Sequence, residues 1–108
     1  MILITVKFPI RPDKTAEWLE LADFYTKAVG AEPGNEFFEF SRSLEDENVY
    51  VCIEGFTNSA AGAEHMAQPH VARFMSEMPD IVSRRPEIIY VDADEVAGFV
   101  EMGEIAPR

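Results

Sequence analysis

Two segments near the middle of the chain, Glu36–Leu44 and Val49–Phe56, read as strands with large apolar side chains on both faces. Phe38, Phe40 and Leu44 lie on one face of the first and Phe37 on the other, while Val51 sits beside Cys52 in the second. A strand with one face in water alternates apolar and polar residues, so side chains of this kind on both faces require two covering layers. A chain of 108 residues is one folding unit with few elements to supply them.

The remaining segments can be placed by periodicity. Met1–Phe8 is β-branched and aromatic, with Ile2, Ile4, Val6 and Phe8 on one face, and reads as a strand. Pro9 and Pro12 are expected to end its ladder, and Asp13 to cap a helix. In that helix Trp18, Leu21, Ala22, Tyr25, Ala28 and Val29 recur at intervals of three and four until a stop near Gly30–Gly34. The polar run Glu45-Asp46-Glu47-Asn48 joins the two central strands as a hairpin. Asn58 or Ser59 starts a second helix that runs to about Ala67, and Pro69 begins a further turn with Val71, Phe74 and Met78 facing inward. Pro86–Asp92 reads as the last strand.

The order β-α-β-β-α-β predicts an α+β fold of ferredoxin-like type, a four-stranded antiparallel sheet with two helices on one face. Two helices cover one face only. The other must be buried by the tail, in which Val96, Phe99, Val100 and Ile105 are apolar, or by a second copy packed sheet on sheet, and a homodimer is the expectation. Residues 1–94 form the domain, and 95–108 a tail that packs on it or across the dimer.

Nine Lys and Arg against 20 Asp and Glu leave a net charge of −11, which repels phosphate backbones and anionic lipid, so neither nucleic acid nor a membrane is an expected partner. Cys52 is the only cysteine, and the apolar run Met1–Val6 is too short for a signal-peptide core, which together point to the cytoplasm. The six glycines never cluster into a phosphate-cradling or dinucleotide-binding loop, so neither flavin nor nicotinamide is expected.

Chemistry concentrates on the second helix. His65 and His70 are the only histidines, five residues apart, and the break at Pro69 can turn one toward the other. One of them can serve as a base near neutral pH; alternatively His70 packs beside Val71 and Phe74 while His65 is solvated. A metal site needs a third ligand, for which Glu54, Glu64 and Glu77 are available without any fixing motif, and none is expected. Glu54 lies among apolar strand residues, where it either orients a histidine or a substrate hydroxyl or ends in water or on an arginine. Trp18, Phe24, Tyr25, Phe38, Phe40 and Phe74 either line a flat pocket for an aromatic ligand or form plain core. Cys52 on its strand reads as buried and inert.

The stretch Tyr50–Phe74 resembles the antibiotic biosynthesis monooxygenase family of dimeric α/β barrels, which includes small quinol monooxygenases. The resemblance rests on Glu54-Gly55-Phe56 at a strand end, Asn58 in the following turn, an alanine-rich helix start, His65, Gln68-Pro69-His70 and Phe74, then the Pro86 strand. It implies a homodimer with a site between sheet and helices in each subunit. It further implies oxidation of a small aromatic, phenolic or quinol substrate by molecular oxygen without flavin, haem or metal. On that scheme His65 or His70 is the base or anion stabiliser, Trp18, Tyr25 and Phe74 pack the ring, Glu54 lines the site, and Arg73 and Tyr50 hydrogen-bond oxygen atoms. The family's haem-degrading branch carries an asparagine and an axial histidine where Thr5 and Met75 stand here. Two further readings remain on this fold, an isomerase of a small (phospho)ketone, with basic groups only at Arg42, Arg73 and Arg84-Arg85, and a small-molecule binder without catalysis. A histidine inside the largest cavity favours the enzyme.

Overall fold

In the computed structural model, which describes all 108 residues, the predicted order appears with the second helix divided. The elements are β1 (Ile2–Pro9), α1 (Thr15–Gly30), β2 (Asn35–Arg42), β3 (Val49–Phe56), α2 (Ser59–Met66), α3 (Pro69–Glu77) and β4 (Glu87–Asp92), with single 3₁₀ turns at Pro12–Lys14 and Met78–Asp80. The four strands are antiparallel in the order β2-β3-β1-β4, with the helices on one face, so the fold is ferredoxin-like α+β with three helices. No helix is long and apolar enough to cross a membrane.

Local chemistry explains the boundaries, including those that differ from the sequence reading. Pro9 closes β1 as its last paired residue, opposite Val49, because a strand end tolerates a missing N–H. Asp13 does not cap α1; it is held by Arg11 at 2.8 Å inside the 3₁₀ turn, and α1 starts at Thr15 without a side-chain cap. Leu44 lies beyond β2 and is fully exposed, because β2 ends at Arg42. Asn58 caps α2 as expected, its side chain accepting from the Ala61 N–H at 2.9 Å. Gln68 is extended (φ −74°, ψ 143°), as the residue before a proline must be, and Pro69 restarts the helix at its first position.

Register places Ile2, Ile4, Val6 and Phe8 of β1 opposite Phe56, Glu54, Cys52 and Tyr50 of β3, on the face the helices cover. Trp18, Leu21, Tyr25 and Val29 pack down onto it from α1, with Val71 and Phe74 from α3. Trp18 is fully buried against Phe8, Phe40, Tyr50 and Phe74, and burying one such aromatic is worth roughly 4–6 kcal/mol by area. The opposite face carries Leu3, Val51, Ile53, Ile89 and Val91, with Ile89 64% exposed in the single chain. At one end of that face the Phe99 ring of the tail lies 4.8 Å from that of Phe37, and Phe99, Val100 and Ile105 are all exposed in the single chain.

The α1–β2 loop, residues 31–34, is drawn tightly onto the start of α2. The carbonyl of Gly34 accepts from the Thr57 N–H at 3.0 Å, and a Cβ at Gly34 would collide with Ala61 Cβ. Gly34→Ala therefore has to push the loop off α2, and should cost about 1–3 kcal/mol as an overpacking change. Urea unfolding would read this as a lower midpoint at unchanged slope; an unchanged midpoint would mean that the loop moves freely.

Candidate active site

The break between α2 and α3 brings three polar side chains together. His65 is in the last turn of α2, His70 follows Pro69 in the first turn of α3, and Glu32 lies in the tight turn after α1, where its N–H bonds the carbonyl of Val29. Nδ1 of His65 stands 2.8 Å and Nε2 of His70 2.7 Å from the same oxygen of Glu32, Oε2. A carboxylate only accepts, so both of these nitrogens carry hydrogen. A ring that carries its one proton on Nδ1 keeps its lone pair on Nε2, which in His65 faces the Tyr25 hydroxyl at 3.5 Å. Phe56 lies along the His65 ring at 4.5 Å between centroids and holds its plane. The side chains of Glu32, His65 and His70 are 9%, 5% and 13% exposed.

His65 also lines a cavity of about 440 Å³ between the sheet and α2–α3, within the usual size range for small-ligand sites. Its walls are mostly apolar and come from all four strands, from Tyr25 of α1 and from α2 and α3. The polar groups among them are Tyr25, Cys52, Glu54, Ser59, His65 and Tyr90, and no Lys or Arg takes part.

Glu54 sits in this wall 7% exposed, without a cationic partner, accepting only the Cys52 thiol at 3.4 Å. Burial is the main force on its carboxyl and raises its pKa, nearby Glu32 adds to the rise, and His65 and the Cys52 contact oppose it. Burial likewise pushes the Tyr25 hydroxyl and the Cys52 thiol upward, with Glu54 adding to both, so both stay protonated at neutral pH and Cys52 is no nucleophile.

The sequence candidates divide by position. Tyr25, Glu54, His65 and Phe74 line the cavity, with Tyr25 stacked on Phe74 at 4.1 Å. His70 lies behind it, reaching His65 through Glu32. Trp18 and Tyr50 are buried in the core beside the cavity. Arg73 is on the outside, its guanidinium 4.0 Å over the Phe24 ring and its Nε 2.7 Å from Glu77. Glu32 was absent from the candidates. Its segment, Ala31-Glu32-Pro33-Gly34, reads only as a helix stop, and the contact spans 33 residues to His65 and 38 to His70.

The Glu54 environment has a measurable consequence. A carboxyl whose pKa is raised on folding stabilises the protein fully below its ordinary value, here 4.5, and loses that contribution as pH rises through the folded value. Glu54→Gln is neutral throughout, so it should melt like the parent near pH 4 and at a higher temperature near pH 8. Equal melting at both would show that His65 and Cys52 fully compensate for the burial.

Comparison with known proteins places these residues in a family. A sequence model described as antibiotic biosynthesis monooxygenase matches residues 1–77. The chain is 23% identical over 95 residues to YcnE of Bacillus subtilis strain 168, provisionally named a monooxygenase, covering 88% of this chain and all of that protein. It is 25% identical over 87 residues to the uncharacterised protein sll1783 of Synechocystis, covering 81% of this chain but only 59% of that longer protein. Among solved structures, Rv0793 of Mycobacterium tuberculosis superposes with a TM-score of 0.82 at 20% identity, covering 90% of this chain and 98% of the other. A Caulobacter crescentus protein provisionally described as an antibiotic biosynthesis monooxygenase superposes with a TM-score of 0.80 at 25% identity, covering 87% of this chain and 90% of the other. With most of its length matched by the family model and its whole sheet-and-helix arrangement shared with these structures, the chain belongs to the antibiotic biosynthesis monooxygenase family.

Proposed function

We propose that this protein is a cofactor-independent monooxygenase that oxidises a small aromatic, phenolic or quinol molecule with molecular oxygen, acting in the cytoplasm as a homodimer. The observation that carries the reading is His65, buried in the wall of an apolar cavity with Nδ1 bonded to Glu32 and a lone pair left on Nε2. The family to which the chain belongs supports the reaction class.

The chemistry asks little of the protein beyond placing a ring and moving a proton. A phenol bound against Tyr25 and Phe74 gives its hydroxyl proton to His65 Nε2, and the Glu32 carboxylate stabilises the imidazolium that forms. The phenolate is electron-rich enough to pass one electron to oxygen, leaving an aryloxyl radical and superoxide. Their combination at a ring carbon bearing hydrogen makes a C–O bond and a peroxide. Cleavage of the O–O bond and loss of that hydrogen leave a quinone carbonyl, and the proton held by His65 departs with the second oxygen atom as water. One oxygen atom thus enters the product and one leaves as water. Trp18 and Tyr50 shape the wall from behind, and we assign Arg73 no contact with substrate. The absence of Lys and Arg from the wall counts against a phosphorylated ketone as the ligand.

The dimer reading rests on the outer face of the sheet, where Val51 and Ile53 of β3 and Ile89 and Val91 of β4 lie on either side of β1 with no helix over them. Light scattering should give twice the chain mass, and Ile89→Lys should reduce it to one. A wild-type protein of single mass would reject this assembly.

Oxygen uptake by chelator-treated protein on a panel of hydroquinones and anthrones tests the chemistry. His65→Gln should lose roughly 10²–10⁴-fold in turnover, the usual contribution of a positioned base. His70→Ala should lose less, since it acts only through Glu32. Unchanged turnover in His65→Gln removes the base from the scheme, and no uptake by wild type across the panel favours a binding protein.

A further inference from the structure

We propose that Glu32, His65 and His70 form a binding site for a borderline-soft divalent cation, of which Zn²⁺ is the type, and that its occupancy silences the cavity-facing nitrogen of His65. One ligand atom from each residue, a carboxylate oxygen and two imidazole nitrogens, falls within 4.8 Å of the others. Two imidazoles with one carboxylate is a donor set that suits zinc and its neighbours and that Mg²⁺ and Ca²⁺ do not seek. The three side chains come from three separate pieces of backbone, the α1–β2 loop, the end of α2 and the start of α3, so a cation would tie together what the Pro69 break separates. All three are largely screened from water, unlike the exposed acids that account for most of the chain's charge of −11.

The distances describe such a site with protons in the place of the metal. The Glu32 oxygen is 2.8 Å and 2.7 Å from the two nitrogens, as direct hydrogen bonds require. Tetrahedral zinc with bonds of about 2.0–2.1 Å separates its ligands by roughly 3.3 Å, so Glu32 has to ease back by about half an ångström while the rings close on the ion. A shift of that size needs only rotation within the Glu32 side chain, so the loop backbone can stay packed on α2. The second Glu32 oxygen makes no hydrogen bond to the protein and can complete the coordination, as can a water molecule.

Metal binding and base catalysis then compete for one imidazole. A neutral ring carries a single proton, on Nδ1 while Glu32 accepts from it. A cation on Nδ1 displaces that proton and takes the lone pair it leaves, so the single proton of the neutral ring moves to Nε2, which becomes a donor toward Tyr25 and the cavity instead of an acceptor. No proton is lost from a neutral ring; from an imidazolium one leaves to solvent. The silencing of activity rests on the reading of His65 as the base, whereas the binding itself does not.

The test is titration of Zn²⁺ alone into full-length, chelator-treated protein by calorimetry, with millimolar Mg²⁺ present to occupy the exposed carboxylates. The expected result is saturation at one Zn²⁺ per chain, weakened more than tenfold by Glu32→Gln and by His70→Ala, with Co²⁺ giving the visible absorption of a tetrahedral site. Should His70→Ala fail to fold, His70→Asn keeps a donor for Glu32 while removing the imidazole. No saturable binding above the Mg²⁺ background, or binding that both substitutions leave unchanged, overturns the site. Nitrogen-15 shifts of His65 should show the proton moving from Nδ1 to Nε2 on Zn²⁺ addition, and an unmoved proton overturns the silencing whether or not oxygen uptake is ever found. Where wild type takes up oxygen, Zn²⁺ should abolish it and chelator restore it.

Discussion

A single carboxylate oxygen of Glu32 accepts hydrogen bonds from two imidazoles that the chain places on different helices, and the candidate site is arranged around it. Charge-assisted bonds of this kind are short and directional, so they fix ring orientation as well as position. Through them the loop after α1, the end of α2 and the start of α3 are held in register. Each of those positions has its own local cause: Gly34 lets the loop lie against Ala61, Asn58 starts α2, and Pro69 ends one helix and begins the next. The tautomer of His65 is a consequence of this arrangement, because Glu32 can only accept.

Inside the cavity the same low polarity that suits an aromatic ring disfavours the ionised form of acids. Glu54, Tyr25 and Cys52 all have their pKa raised, chiefly by burial, and Glu54 adds to the rise of the other two. The wall therefore offers the uncharged Tyr25 hydroxyl and Cys52 thiol beside one nitrogen lone pair, an environment that discriminates against ligands bearing fixed negative charge. It is built from residues whose first task is packing, since Tyr25 and Phe74 stack on each other and belong to the buried core.

The sheet has two apolar faces and only one of them is covered by helices. The tail touches the outer face at one end, where Phe99 meets Phe37. Ile89 and Val91 at the other side remain uncovered in the single chain, and β4 with them. An area of this kind on an otherwise acidic surface fits packing against a like surface, which is why two-faced strands in a short chain imply association.

Periodicity alone was enough to place the four strands, the amphipathic stripe of α1 and the split at Pro69, because these depend on side-chain alternation, helical spacing and the missing proline N–H, all local properties. Errors were confined to ends: Asp13 turned to Arg11 instead of capping α1, and Leu44 fell outside β2. The two histidines stood out in the sequence by rarity, and Glu54 by its apolar neighbours. What only the tertiary structure decided is which of these groups meet. Glu32 looks like any surface acid near a helix stop, and it becomes a partner of His65 and His70 only when α1 packs across the sheet and carries its last turn to the break between α2 and α3. Likewise Arg73 and Phe74 are neighbours in sequence, yet helix rotation points one at solvent and the other into the cavity wall. A local pattern specifies elements and faces, while contacts between residues more than 30 positions apart exist only once those faces have packed.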